Sequence, residues 1–145
     1  MNKILVDTNI LFYLVQKHET KKHEIVSKLF KTIREKHQES NYTIALQSLR
    51  EFSNIYWKKS KEKNLDDLIE NIQLFKTVFE ILPETEEDIE TANKLHFEQK
   101  IPFWDALIVS VMQKNHIDSI LTENEKDFKK IPWTNVINPF KNLHM

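Results

Sequence analysis

Residues 4–9 read Ile-Leu-Val-Asp-Thr-Asn, and this segment decides the fold class. Three consecutive aliphatic residues are typical of a strand buried on both faces, and the polar residues after them predict a turn. Thr8 or Asn9 can cap a short helix carrying Ile10, Leu11 and Leu14. A strand that leads at once into a helix predicts an alternating α/β fold.

The same alternation continues outward along the chain. Further short strands are predicted at residues 42–45, 78–82, 119–121 and 135–137, and helices at residues 25–33, 47–60, 65–75, 89–99 and 104–114. Residues 17–22 are expected to form a polar connection, and the helix after them is expected to close at Asn41. The pattern predicts one domain over residues 1–145, a three-layer α/β/α sandwich with a mostly parallel sheet of about five strands.

The composition excludes several function classes. The 145 residues include no glycine, which argues against dinucleotide-binding and phosphate-binding loops that need a close backbone approach. They include no cysteine, which excludes disulfides, thiol nucleophiles and cysteine zinc sites. The 21 Lys+Arg and 22 Asp+Glu residues nearly balance, so nucleic-acid binding would need a local basic patch. Neither a signal peptide nor a membrane-spanning stretch is recognisable, and we expect a cytoplasmic protein.

Acidic residues lie where the predicted strands end or where the following helices begin. Asp7 follows the first strand, Glu51 lies in the first two turns of the helix after the second strand, and Asp105 lies near the start of the helix after Pro102. A fourth acid, Glu123, comes just after the fourth strand. Ligands of an open α/β sheet bind beyond the carboxyl ends of its strands, so these acids can converge at one edge. Taken singly, Asp7 and Asp105 are better explained as helix caps, and Glu51 as an exposed helix residue.

Taken together, the acids admit a second interpretation. Carboxylates brought close to one another must retain protons or be neutralised by a cation. Oxygen ligands favour hard ions such as Mg²⁺ or Mn²⁺, which can activate a bound water beside a phosphodiester. The residues alone therefore leave two alternatives open, a metal-dependent hydrolase and a set of structural acids.

Five blocks of the sequence resemble successive signatures of PIN domains, specifically VapC-type toxins of type II toxin–antitoxin systems. They are Val-Asp-Thr-Asn-Ile-Leu at 6–11, Gln-Ser-Leu-Arg-Glu-Phe at 47–52, Phe-Trp-Asp-Ala-Leu-Ile at 103–108, Leu-Thr-Glu-Asn at 121–124 and Ile-Asn-Pro-Phe at 137–140. The resemblance spans nearly the whole chain. It implies a PIN-like fold, a Mg²⁺- or Mn²⁺-dependent endoribonuclease acting on structured RNA such as tRNA, a cognate antitoxin and a homodimer.

By this resemblance, the catalytic and metal-binding acids are Asp7, Glu51 and Asp105. Thr8, Asn9 and Thr122 would orient these ligands or a bound water. Many relatives carry an aspartate where this sequence has Asn124, whose neutral oxygen would hold a second ion less tightly, and Asp127 is placed to compensate. The departure leaves the number of bound ions open.

Cationic and aromatic residues give weaker signals. Five cations could contact RNA by their position in the sequence, although clustered lysines are more often surface residues: Arg50, Lys58, Lys59, Lys129 and Lys130. The aromatic residues Phe12, Phe52, Trp57 and Trp104 are expected in the core. The alternative to the ribonuclease is a catalytically weak or inactive PIN-fold module that binds RNA or a partner, and a DNA-directed nuclease would share the same site.

Overall fold

The computed structural model describes residues 2–16, 18 and 20–141. Its strands are β1 (Ile4–Val6), β2 (Tyr42–Ala45), β3 (Glu80–Leu82), β4 (Ser119–Leu121) and β5 (Asn135–Ile137). They form one sheet in the order β3-β2-β1-β4-β5, and every neighbouring pair is parallel. With helices on both faces, this confirms the predicted three-layer α/β/α sandwich.

The helices alternate with the strands. They are α1 (Thr8–Val15), α2 (Lys21–Glu35), α3 (Leu46–Lys59), α4 (Leu65–Val78), α5 (Glu86–Gln99), α6 (Phe103–Lys114) and α7 (Glu125–Phe128), with a 3-10 turn at Glu39–Asn41. None of the helices in the described residues is long and apolar enough to cross a membrane. Lys17 and Glu19 of the predicted polar connection lie outside the described residues.

Local chemistry sets several helix boundaries. Asp7 caps α1, because its carboxylate accepts a hydrogen bond from the Thr8 backbone N–H at 2.9 Å. A capping box of Thr85 and Asp88 starts α5 at Glu86, ahead of the predicted start. Helix α2 ends at Glu35 rather than at Asn41, and His37 follows it with a left-handed φ of 55°. In a chain without glycine, His37, Lys100 and His116 take the positive φ that glycine usually supplies at such turns.

The parallel register aligns the carboxyl ends of the central strands. Strand β1 lies between β2 and β4, and Val6 pairs with Leu121 of β4. The alignment continues one residue beyond the end of each strand, since the Asp7 N–H donates to the Leu121 carbonyl at 3.0 Å. Asp7 and Thr122 therefore lie side by side at one edge of the sheet.

Two apolar clusters fill the spaces on either side of the sheet. One lies under α5 and α6 and includes Ile108 and Ile120, and the other lies under α1 to α4 and includes Phe52 and Phe75. The core prediction holds for Phe52, which is fully buried, and Phe12 is partly buried against the same cluster. It is wrong for the two tryptophans, because Trp57 lies in the last turn of α3 and Trp104 in the first turn of α6, where they are 43% and 56% exposed.

Candidate functional site

Asp7 is the most buried acid at the carboxyl edge of the sheet. It is 4% exposed, and three donors surround its carboxylate. The Thr8 backbone N–H donates to Oδ1 at 2.9 Å, while Thr122 Oγ1 and Asn9 Nδ2 donate to Oδ2 at 2.7 and 3.2 Å. These hydrogen bonds fix the orientation of the carboxylate and offset part of the cost of burying it.

The hydroxyl of Thr122 joins the residues after β1 to those after β4. Thr122 is fully buried, and its Oγ1 donates to Asp7 while accepting from the Asn124 backbone N–H at 2.9 Å and from Asn9 Nδ2 at 3.3 Å. A group that donates once and accepts twice uses the full capacity of a hydroxyl. We therefore regard Thr122 as the residue that holds Asp7 in place.

Glu51 is connected to Asp7 through Thr8. Thr8 Oγ1 donates to Glu51 Oε2 at 2.9 Å, and the backbone N–H of the same residue donates to Asp7. The other oxygen of Glu51 accepts from Gln47 Nε2 at 3.2 Å. Gln47 is buried and in turn accepts from Arg50, which also pairs with Glu84. The orientation of Glu51 is thus set from two sides.

Asn124 connects the third acid to the start of α7. Its Nδ2 donates to Asp105 Oδ2 at 3.2 Å and to Asp127 Oδ2 at 3.1 Å. Its Oδ1 accepts from the Asp127 backbone N–H at 3.3 Å and so caps α7. The amide nitrogen, rather than the amide oxygen, therefore faces the carboxylates.

Burial and neighbouring charges raise the pKa of two acids at this edge, Asp7 and Asp105. Burial raises the pKa of Asp7 to about 6, and the charge of Glu51 adds to the increase, although the bonds from Thr122, Thr8 and Asn9 oppose it. Burial likewise raises the pKa of Asp105 to about 7, helped by the charges of Asp7, Glu51 and Asp127. The site therefore holds negative charge that favours a bound proton or a bound cation.

A hard divalent ion fits the chemistry of this donor set, because Asp7, Glu51 and Asp105 offer only oxygen atoms and repel one another. Within residues 2–16, 18 and 20–141, however, no three His, Cys, Asp or Glu side chains are grouped closely enough to hold an ion. Glu51 is bound to Thr8 and Gln47, and Asp105 to Asn124. Each acid is thus satisfied by neighbouring donors in this arrangement.

The predicted RNA-binding cations divide into two groups. Arg50 and Lys130 lie beside acids of the site, Arg50 one residue before Glu51 and Lys130 with its Nζ 3.7 Å from Asp127 Oδ1. Lys129 lies nearby and pairs with Glu125 at 3.1 Å. Lys58 and Lys59 lie in the last turn of α3, about two turns beyond Glu51. The structure therefore does not bring these two lysines to the acids.

Two features of the site were missed from the sequence. One is Gln47, whose position at the head of the second sequence block was the available signal. The other is the pairing of Glu123: the sequence predicts this acid at the edge after the fourth strand, but not the hydrogen bonds that its carboxylate accepts from Tyr13 Oη at 2.7 Å and from Lys22 Nζ at 2.6 Å. Because Lys22 neutralises it, Glu123 adds little charge to the neighbouring acids.

Comparisons with known proteins agree with the fold. A family model for the PIN domain matches residues 4–134. Three solved structures have similar folds. A toxin–antitoxin complex from Klebsiella pneumoniae is 22% identical, with 94% of this chain and 98% of that chain covered and a TM-score of 0.69. VapBC2 from Rickettsia felis bound to a promoter DNA fragment is 23% identical, with coverages of 93% and 97% and a TM-score of 0.62.

The third structure is VapC20 from Mycobacterium tuberculosis, described as a toxin that cleaves the Sarcin-Ricin loop. It is 17% identical, with 88% of this chain and 93% of that chain covered and a TM-score of 0.71. Comparison with curated protein sequences gives no significant match. At these identities the structural neighbours establish a shared fold.

Proposed function

This chain belongs to the PIN domain family, and on that premise we propose that it is a divalent-metal-dependent endoribonuclease and the toxin of a toxin–antitoxin pair. PIN-domain nucleases generally use divalent ions, and Mg²⁺ or Mn²⁺ is the choice that oxygen ligands favour. In this proposal residues 1–145 act as one PIN-like domain in the cytoplasm.

One observation carries the proposal. Asp7, Glu51 and Asp105 lie at one edge of the sheet, near enough to one another that the charges of Asp7 and Glu51 raise the pKa of Asp105. Gathering acids in a buried place lowers the stability of the folded state, and strongly shifted pKa values cluster at functional sites. Asp7 caps α1, but α6 begins after Pro102 without a side-chain cap from Asp105, so capping does not explain the group.

The neighbouring polar residues supply the positioning that hydrolysis needs. A divalent ion held by Asp7, Glu51 and Asp105 would lower the pKa of a bound water and offset charge on the phosphodiester. Thr122 and Asn9 orient Asp7, Thr8 orients Glu51, and Asn124 orients Asp105. These partners limit the rotation of the carboxylates, as residues next to metal ligands commonly do.

The neighbours with similar folds support the finer parts of the proposal. The Klebsiella structure is a toxin–antitoxin complex, and the Mycobacterium toxin cleaves the Sarcin-Ricin loop. For this chain we accordingly propose a cognate antitoxin as partner and a structured RNA such as tRNA as substrate. A homodimer remains part of the proposal.

Cleavage of total cellular RNA by the purified, antitoxin-free protein tests the enzyme. With Mn²⁺ or Mg²⁺ we expect discrete fragments that disappear when EDTA is added and when Asp7→Asn replaces the wild type. Asp66→Asn is the matched control, because Asp66 is an exposed acid in the first turn of α4. Fragments that persist with Asp7→Asn, or are lost equally with Asp66→Asn, would contradict a role for Asp7.

The second candidate function is a PIN-fold module that binds RNA or a partner without cleaving. It is favoured by the amide of Asn124, which directs its nitrogen to Asp105 and Asp127 and its oxygen to the backbone of α7. No cleavage by folded protein with either ion, together with no thermal shift in Mn²⁺, would select this module. A DNA substrate in the same assay separates a DNA-directed nuclease from a ribonuclease.

A further inference from the structure

A basic pocket with an exposed aromatic ring lies next to the acids. It has a volume of about 440 Å³ and lies between the end of α5, the turn after it, and α7. We call it the Phe97 pocket, and its main lining residues are Phe97, Lys100, Pro102, Lys126, Asp127 and Lys130.

The Phe97 pocket is continuous with the carboxylate site through Asp127. This residue lines the pocket, and its Oδ2 accepts from the same Asn124 amide nitrogen that bonds to Asp105. A polymer that places one phosphate at Asp105 would therefore bring its adjacent unit to this pocket.

Phe97 presents its ring to solvent. It is 75% exposed, the most exposed of the large apolar side chains reported for the described residues. The Nζ of Lys100 lies 5.3 Å from the centre of the ring, so the aromatic face is paired with a cation. The left-handed conformation of Lys100, with φ of 60°, turns the chain back at this point and keeps residues 97 and 100 together.

Three lysines give the pocket a positive charge in a chain whose formal net charge is −1. Lys130 Nζ donates to the Lys100 carbonyl at 2.9 Å, which links α7 to the turn after α5. Asp127 pairs with Lys130 at 3.7 Å, and Lys100 and Lys126 remain exposed. Cations around an aromatic face are the features with which proteins bind unpaired nucleotides, through phosphate contacts and base stacking.

We propose that the Phe97 pocket binds an unpaired nucleotide adjacent to the scissile phosphate of the RNA substrate. Its base stacks on Phe97, and its phosphate is contacted by Lys100 and Lys126. This role rests on the ribonuclease function proposed above. It deepens that function by assigning recognition of an unpaired base to Phe97, since a paired base has no free face to stack.

The test measures RNA binding apart from cleavage. The probes are a fluorescent hairpin with an unpaired loop and a blunt duplex made from the same stem, both titrated with protein in EDTA. Phe97→Ala is compared with Phe97→Tyr, which keeps an aromatic face. Trp133→Leu is the matched control. Trp133 is also exposed, but it lies just before β5, at the amino ends of the strands and away from the acids.

We expect Phe97→Ala to bind the hairpin about 5- to 100-fold more weakly and the duplex nearly as well as the wild type. Phe97→Tyr and Trp133→Leu should bind both probes as the wild type does. Lys126→Ala should weaken binding of both probes and reduce the slope of log K against log salt by about 0.7. Lys76→Ala, an exposed lysine of α4 in the other helix layer, should leave that slope unchanged.

The outcomes separate this role from the proposed function. If RNA is cleaved but Phe97→Ala binds the hairpin normally, the pocket is not a nucleotide site, although the ribonuclease stands. An equal loss on the hairpin and the duplex would likewise overturn the stacking role. Weakened hairpin binding by Phe97→Ala in a protein that cleaves no RNA would keep the pocket and overturn the enzyme. Normal binding of both probes by all variants would assign the surface to contacts other than RNA.

Discussion

Asp105 shows how a single residue links the chemistry of the site to the stability of the fold. Its pKa is raised from 3.8 to about 7 by burial and by the charges of Asp7, Glu51 and Asp127. A raised carboxyl pKa means that the folded state binds the proton more tightly than the unfolded state does. The resulting stability is fully present below pH 3.8 and is lost as the pH rises through about 7.

Asp105→Asn should therefore stabilise the protein in EDTA at pH 8, since a neutral amide removes the charge that the site disfavours. We expect a gain of about 1–2 kcal/mol, equivalent to an increase in Tm of about 3–8 °C, that shrinks towards zero near pH 4. Thermal unfolding from pH 4 to pH 8 measures it, with Asp66→Asn as the control. A variant less stable than the wild type at pH 8 would contradict the assigned electrostatics.

Substitution of Thr122 tests whether its hydroxyl positions Asp7. Thr122→Val keeps the shape of the side chain but removes the hydroxyl that donates to Asp7 and accepts from Asn124. We expect a loss of about 1–3 kcal/mol in the free energy of unfolding and about 10- to 100-fold in RNA cleavage. Urea unfolding and kcat/KM measure the two effects.

Thr122→Ser retains the hydroxyl and is the matched control for that change. It should recover most of the activity, even where the missing methyl group lowers stability. Cleavage by Thr122→Val at the wild-type rate would mean that Asp7 does not need this hydrogen bond.

At the scale of elements, an ion pair between a buried carboxylate and an exposed lysine joins α5 to α6. Asp88 of α5 is 3% exposed and accepts from Ser110 Oγ at 2.6 Å and Lys114 Nζ at 2.5 Å, both on α6. Burial raises the pKa of Asp88, but the bonds from Lys114, Ser110 and Thr85 outweigh it and lower the pKa below 3.8. The pair holds the helix whose first turn carries Asp105.

Asp88→Asn should lower the free energy of unfolding at pH 7 by about 1–3 kcal/mol, because Lys114 and Ser110 lose a charged acceptor. A lowered pKa gives stability that is present above pH 3.8 and lost as the pH falls through the folded pKa, so the difference should shrink below about pH 4. Urea titrations at several pH values measure it. Glu90→Gln, an exposed change on α5, is the control and should show no such dependence.

The sequence predicts the elements better than the contacts between them. Strands β4 and β5 are predicted to the residue, because apolar runs bounded by polar residues mark both ends. The four residues of α7 are too few for a helical period, so that helix was missed. The positions of Asp7, Glu51 and Asp105 follow from strand ends and helix starts. The rotamers that direct Gln47 to Glu51 and the nitrogen of Asn124 to Asp105 depend on contacts that no local pattern encodes.

For the whole molecule, an ion at the acidic edge would change stability as a function of pH. Protons and a divalent cation compete for the same carboxylates, so ion binding should strengthen as the pH rises past the pKa values of Asp7 and Asp105, about 6 and 7. The ion binds the folded state. A free ion concentration of about 100 times the Kd therefore adds about 2.7 kcal/mol to the free energy of unfolding.

Mn²⁺ should therefore raise the Tm of the wild type at pH 8 and raise it much less at pH 5. Thermal unfolding with and without Mn²⁺ measures both shifts. Asp66→Asn should respond as the wild type does, whereas Asp105→Asn should respond weakly. An equal shift at both pH values, or the same shift in Asp105→Asn, would contradict ion binding by these acids.

The strand order also determines when the site can exist during synthesis. The hydrogen bond between Thr122 and Asp7 joins residues 115 positions apart, because the central strand β1 pairs with β4 rather than with β2 alone. At a translation rate of about 5–20 residues per second, a ribosome needs about 6–23 s to add the residues between them. During that time Asp7 has been made, with Thr8 and Asn9 beside it, but it lacks the hydrogen bond from Thr122. A nascent chain is thus without an assembled carboxylate site until β4 has emerged, so the site forms only late in synthesis.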